Sequence, residues 1–439
     1  MNNSDKKTNV TSIFFKYVFQ NILGMLGISA YVLADTFFIS QAEGANGLTA
    51  LNLVLPIYSF IFAIGSMIGV GSATKFKIQS AKQESDANEY FSNSIFFVVI
   101  FGVVFMLIGL LIPDKLVALL GGDAEIVVLG TPYTKIFMMF APFFMLNYIF
   151  NAFVRNDGAP SLAMAATLSS SLFNIVMDYV LMFPLKMGMA GAALATAFSP
   201  VVGVLICSIH FFSKKNNIRF KWHIPSIKKL FASCQLGVSA FIGELSSGVT
   251  TVVFNFLILG LTGNEGVAAY GVVANVAIVA TAIFNGISQG SQPLLSEYYG
   301  KNNTGSVKKT LKLSIGTALA IAILIIALVY FLSTPIIEIF NSEHNTQLTD
   351  YALIGLRLYF IGFIFAGFNI IGTGYLSATE SAMWAFVTSI LRGIAAIIIC
   401  AFTLSALFGM TGIWLAFPAA EMITALVMII AITKSHRKL

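Results

Sequence analysis

The stretch YVLADTFFIS, residues 31–40, sets one aspartate in a run otherwise suited to lipid. An ionisable group inside a bilayer costs roughly 2.5–3.5 kcal/mol on insertion scales, and by default it marks a functional site. Four further ionisable groups share that situation: Asp178 in LFNIVMDYVLMF, Glu244 in GVSAFIGELSSGV, Arg392 and Glu421. Asn174 precedes Asp178 by four residues, so the amide and the carboxylate share one helical face. Thr196, in GAALATAFSP, adds a hydroxyl. Two carboxyls, an amide and a hydroxyl can form a small polar pocket within the N-terminal bundle. The competing reading is a structural hydrogen-bonding cluster or, for Asp35, an interfacial residue that reaches water. Glu244 lies near the expected midplane. There it either faces a cavity and attracts cations or pairs with Ser246 and Ser247. Arg392 is a second cavity candidate, whose structural reading is an ion pair with a carboxylate. Glu421 has no motif around it and stays unassigned.

Membrane helices must position these groups. Of 439 residues, 57% are apolar and 10% charged, with a mean hydropathy of +0.87; soluble domains carry about 25% charged residues. A spanning helix needs about 20 apolar residues, and twelve such segments are expected, near 14–39, 47–73, 91–112, 131–153, 162–183, 188–212, 233–259, 267–290, 311–333, 352–375, 383–407 and 410–432. The first is read as an uncleaved helix, because it is too long for the apolar core of a signal peptide. Cys207, Cys234 and Cys400 fall in spans without a CxxC pair, which excludes a disulfide framework or zinc site. The histidines lie at or beyond span ends. No cofactor is expected, and the absence of a GxxxxGK[ST] loop argues against ATP hydrolysis.

The net charge of +6 is distributed as the positive-inside rule requires rather than as a nucleic-acid patch. With the N-terminus in the cytoplasm, 20 of the 25 Lys and Arg fall in the N-terminal region, the even-to-odd loops or the C-terminal tail, Lys438 included. The other five are Lys115, Lys135, Lys186, Arg357 and Arg392. Both termini are therefore expected in the cytoplasm.

The polar stretch 213–229 separates two sets of six spans, giving an N-terminal lobe (1–212), a basic cytoplasmic linker (213–232) and a C-terminal lobe (233–439). Residues 47–82 lie without gaps on 266–301, with nine of 36 pairs identical, including Gly71 with Gly290. GMAGAALA (188–195) matches GMTGIWLA (409–416) at nearly the same offset. Six spans per repeat give both halves the same orientation and a symmetry axis along the membrane normal, with a substrate cavity expected between them. In these registers Asp35, Asn174, Asp178 and Thr196 fall opposite Phe254, Ala395, Ile399 and Phe417. The polar set thus belongs to one half, which favours function over scaffold.

LADTFFIS, FNIVMDYVL, GMAGAALATAFS and GISQGSQPLLSEYYGKNN, in that order across two six-span halves, resemble the MATE (multidrug and toxic compound extrusion) family, and its MepA-like branch in particular. The resemblance covers essentially the whole chain. It implies an all-α integral membrane protein, with twelve transmembrane helices in two pseudo-symmetric six-helix bundles around a central cavity. It also implies export of cationic or amphipathic drugs in exchange for H⁺ or Na⁺. A monomer is expected, and the short loops and the Lys-, Asn- and Ile-rich composition point to a bacterial plasma membrane. Family members with an N-lobe ion site use a span-1 aspartate, a span-5 asparagine and aspartate, and a span-6 threonine, which match Asp35, Asn174, Asp178 and Thr196. A span-7 glutamate of the NorM-like branch matches Glu244, but that branch's span-10 aspartate has no counterpart across 352–375. The alternative within the superfamily is a lipid-linked oligosaccharide flippase, which would line its cavity with several basic residues where only Arg392 is expected.

Overall fold

The computed structural model describes residues 10–341 and 345–437; residues 1–9, His344 and Lys438, which entered the counts above, lie outside them. Hydrocarbon offers no partner to backbone N–H and C=O groups, so a chain this apolar satisfies them within helices. The membrane helices are α1 Val10–Gly44, α2 Asn46–Ala81, α3 Ala87–Leu111, α4 (the pair Ala124–Met139 and Ala141–Asn156, bent by 47°), α5 Pro160–Met182, α6 Gly188–Phe212, α7 227–262, α8 264–300, α9 Thr304–Phe340, α10 Thr346–Ala378, α11 382–408 and α12 410–436. The bend in α4 falls beside Pro142, in the first turn of its second half; proline has no N–H to offer the preceding turn. Counting α4 as one span, the twelve expected spans are all present.

The repeat is written into the backbone. Gly44 (φ 62°, ψ −150°) breaks α1 from α2, and Gly263 (φ 70°, ψ −154°) breaks α7 from α8. These angles suit only glycine, and the two positions correspond in the gapless register. Gln83 and Asn302, also in register, both adopt positive φ, at 61° and 54°. Gly188 and Gly409, from the second matched segment, do so at 53° and 59°.

Each half builds its own core. Tyr133, Phe137, Phe144 and Phe153 anchor one, and Phe254, Tyr359, Phe363 and Trp414 the other. Large apolar side chains left uncovered on α3 (Phe96, Val104, Leu111) and α9 (Ile323, Phe331) make lipid-facing surfaces, as a bilayer solvent allows. An even number of spans puts both chain ends on one face, here called the terminal face.

The contacts that join the two bundles gather in the half of the molecule nearest that face. A Cβ on Gly71 would run into the Ser233 carbonyl, and one on Gly290 would stand 2.7 Å from Val18 Cα. Gly71 and Gly290, which correspond in the repeat, are thus both places where one bundle's backbone touches the other. Gln292 donates to Thr74 across the seam (3.1 Å), and Lys77 pairs with Glu297 (2.8 Å). Lys75 pairs with Glu380 at the same face. Towards the opposite face, Gly243 and Gly248 on α7 and Gly271 on α8 have open space where a side chain would stand.

One charge departs from expectation. Arg155, counted above as a loop residue, is 3% exposed, because the second half of α4 runs on to Asn156. Its Nη1 donates across the seam to Gln289 (2.7 Å) and within the N-bundle to Asn151 (3.4 Å) and Asn21 (3.5 Å).

Candidate cation site

The N-bundle brings four expected residues together. Asp35 of α1, Asn174 and Asp178 of α5 and Thr196 of α6 are all buried, Asn174 and Asp178 completely. Asn174 Nδ2 donates to Thr196 Oγ1 at 3.2 Å. Asp35 and Asp178 face each other within hydrogen-bonding reach. Two ionised carboxylates are acceptors only and repel each other, so their proximity favours a proton between them or a cation beside them. Asp35 Oδ1, both carboxylate oxygens of Asp178 and Asn174 Oδ1 are buried without partners among the described residues. Buried polar atoms are almost always satisfied, so this concentration of oxygens is chemically suited to a proton or a small cation. A proton would satisfy one pair of oxygens, and a small hard cation would engage several.

Two tyrosines complete the setting, and the sequence reading passed over both. Tyr133 of α4 is fully buried, next to Thr196 and within electrostatic reach of Asp35 and Asp178. Tyr31 lies one turn before Asp35 and within electrostatic reach of Asp35, Asp178 and Glu244. The four-residue spacing of Tyr31 and Asp35 could have revealed it; Tyr133 carries no local signal.

The other candidates stand apart. Glu244 of α7 accepts from Tyr148 of α4 at 3.4 Å, which links the two bundles. It does not pair with Ser246, whose hydroxyl returns to the Ile242 carbonyl. Arg392 does find a carboxylate, and it is the unassigned Glu421: Nε to Oε1 is 2.7 Å. Asn369, fully buried, holds the other oxygen of Glu421 at 2.7 Å.

The expectation that only one half carries a polar cluster therefore needs correction. The C-bundle has one as well, about a turn nearer the terminal face on the helices matching α5 and α6. At the level of the N-bundle pocket it is filled with rings instead. Phe254 is fully buried against Tyr270 (5.2 Å), and Phe417 stacks on Tyr359 at 4.2 Å. Ile399, set opposite Asp178 above, is 62% exposed, and the inward place belongs to the next residue, buried Cys400. Helices α5 and α11 begin one residue further apart, at Pro160 and Ala382, than the Gly188–Gly409 register implies. The essential contrast is in charge. The C-bundle cluster holds its own cation, whereas the N-bundle pair has none among the described residues.

Twelve helices in two pseudo-symmetric bundles define a membrane transporter of the MATE fold. A multidrug resistance MATE transporter of the MOP superfamily, in an outward-facing conformation, superposes with a TM-score of 0.92 at 20% identity, covering 98% of this chain and 97% of that one. A MOP superfamily transporter from Pyrococcus furiosus, described by the reversed polarity of its binding pocket, gives 0.89 at 20% identity, covering 97% and 96%. The multidrug export protein MepA of Staphylococcus aureus (strain MRSA252) is 28% identical over 424 residues, 96% of this chain and 93% of that protein. The profile of the MatE family matches residues 21–180 and 240–402, one match in each half. The chain belongs to the MatE family.

Proposed function

We propose that this protein is a multidrug exporter that moves cationic and amphipathic compounds out of the cell by antiport with H⁺ or Na⁺. It works as a transporter rather than an enzyme, as a monomer, without a cofactor, in a bacterial plasma membrane with both termini cytoplasmic. Residues 1–212 form one lobe and 233–439 the other, with 213–232 as the linker. The observation that carries the reading is the pair of enclosed carboxylates, Asp35 and Asp178, with no positive partner beside them.

With the terminal face in the cytoplasm, the cleft opens outward. An external ion enters the N-lobe pocket, is shared by Asp35 and Asp178 and held by Asn174 and Thr196, and cancels the charge that made the pocket attractive to a bound cation. Drug release is thereby favoured on the outside. After the lobes rock, the ion leaves to the cytoplasm, and the recharged pocket together with Glu244 draws in the next cationic compound. Arg392 lines the other lobe's side of the cavity. The similarity to MepA supports the export of drugs.

The test is efflux of a fluorescent cation from proteoliposomes under separately imposed pH and sodium gradients. Asp178→Asn removes one of the two charges and is expected to abolish gradient-driven efflux while the protein remains in the vesicles. Undiminished transport by that variant would remove Asp178 from coupling.

A further inference from the structure

Glu421 is saturated. Arg392 Nε donates to Oε1, while Asn369 Nδ2 donates to Oε2 and to the Glu421 backbone carbonyl (2.8 Å). The guanidinium is not saturated. Of its five N–H groups only the one on Nε has an acceptor among the described residues, and 26% of the side chain is uncovered. Bare guanidinium N–H groups are not tolerated against hydrocarbon. Ionisable groups within spans almost always face the bundle interior or a water-filled cavity, so with Nε turned to buried Glu421 the uncovered part of the guanidinium is assigned to the space between the bundles. Arg392 also lies in a π-helical turn, 391–395, interrupting α11, and such turns gather at functional positions.

We propose that Arg392 is an oxyanion subsite of the transport cavity. Its planar fork accepts a carboxylate or a similar group through two parallel hydrogen bonds, so zwitterionic amphiphiles are carried with their anionic end on Arg392 and their amine towards Glu244. Glu421 and Asn369 are positioning residues that hold the guanidinium edge-on and offset its charge within the lobe. The inference rests on the transport reading above and deepens it by naming a substrate class.

A matched pair of dyes separates the two. Rhodamine B carries a free carboxylate beside its cationic ring system, and its ethyl ester is a plain cation of nearly the same shape. Both are offered to proteoliposomes containing the wild type, Arg392→Lys, which retains a charge for Glu421, or the double variant Arg392→Gln/Glu421→Gln, which keeps a neutral pair. Protein in the vesicles is quantified, and either variant suffices if the other is absent. Wild-type export of both dyes, with the acid-to-ester ratio falling by about tenfold or more in the variants, is the expected result, since a hydrogen bond to a charged group carries at least that factor. An unchanged ratio overturns the proposal. So does wild-type export of the ester without the acid, and that result leaves the exporter reading standing. Export of neither dye overturns the exporter reading itself.

Discussion

Gly290 offers the sharpest test of how the bundles close. A Cβ there would lie 2.7 Å from Val18 Cα and 2.9 Å from the Tyr17 carbonyl oxygen, both backbone atoms that cannot rotate aside. Ordinary van der Waals contact begins at about 3.4 Å, so Gly290→Ala must push the seam apart by at least about half an ångström. Overpacking of this kind costs about 1–3 kcal/mol. Alanine is also favoured over glycine within a helix by about 1 kcal/mol, but α8 is helical whichever way the lobes tilt, so that gain cancels from the conformational equilibrium. The whole penalty therefore falls on the closed terminal face and shifts the balance towards its opening by about 5- to 150-fold. Spin labels at Lys82→Cys and Lys309→Cys, both exposed at that face, with the three native cysteines replaced, would report the shift as a longer distance population. An unaltered distance distribution in folded Gly290→Ala protein would refute the argument that this contact limits opening.

Two further expectations use other parts of the same framework. Glu297→Gln removes the partner of both Lys77 and Lys301; these pairs are partly solvated, so each is worth about 1 kcal/mol or less, and the same spin-label distance should lengthen modestly at low salt and converge with the wild type at high salt. Asn369→Ala strips two donors' worth of hydrogen bonding from buried Glu421 at a cost of about 1–3 kcal/mol, so the thermal midpoint in detergent should fall by several degrees, and an unchanged midpoint would mean that the carboxylate does not depend on it.

The spans were legible because lipid imposes a length and a polarity on every helix, and the repeat was legible because Gly71 and Gly290 each face a neighbouring backbone that excludes any side chain. The N-bundle pocket was legible for a related reason: Asp35, Asn174 and Asp178 have no business in lipid unless they meet. Arg155 was misread, since a charge at a span end gives no sign of whether its helix continues inward. Glu421 stayed unassigned because its partners Arg392 and Asn369 lie 29 and 52 residues away, and no local pattern announces a contact between helices. Tyr133 is hidden for the same reason.

The rings of Phe254 and Phe417 have an electrical consequence. Where one repeat keeps ionisable groups, its twin has bulk, and the Arg392–Glu421 couple travels as a neutral dipole. A voltage across the bilayer does work of about 2.3 kcal/mol per elementary charge per 100 mV, and in this molecule the unneutralised carboxylates it can act on are Asp35 and Asp178 of the first repeat and Glu244 of the second. On the proposed mechanism, any dependence of turnover on membrane potential would report the loading of those three groups, with the paired Arg392 and Glu421 contributing nothing to it.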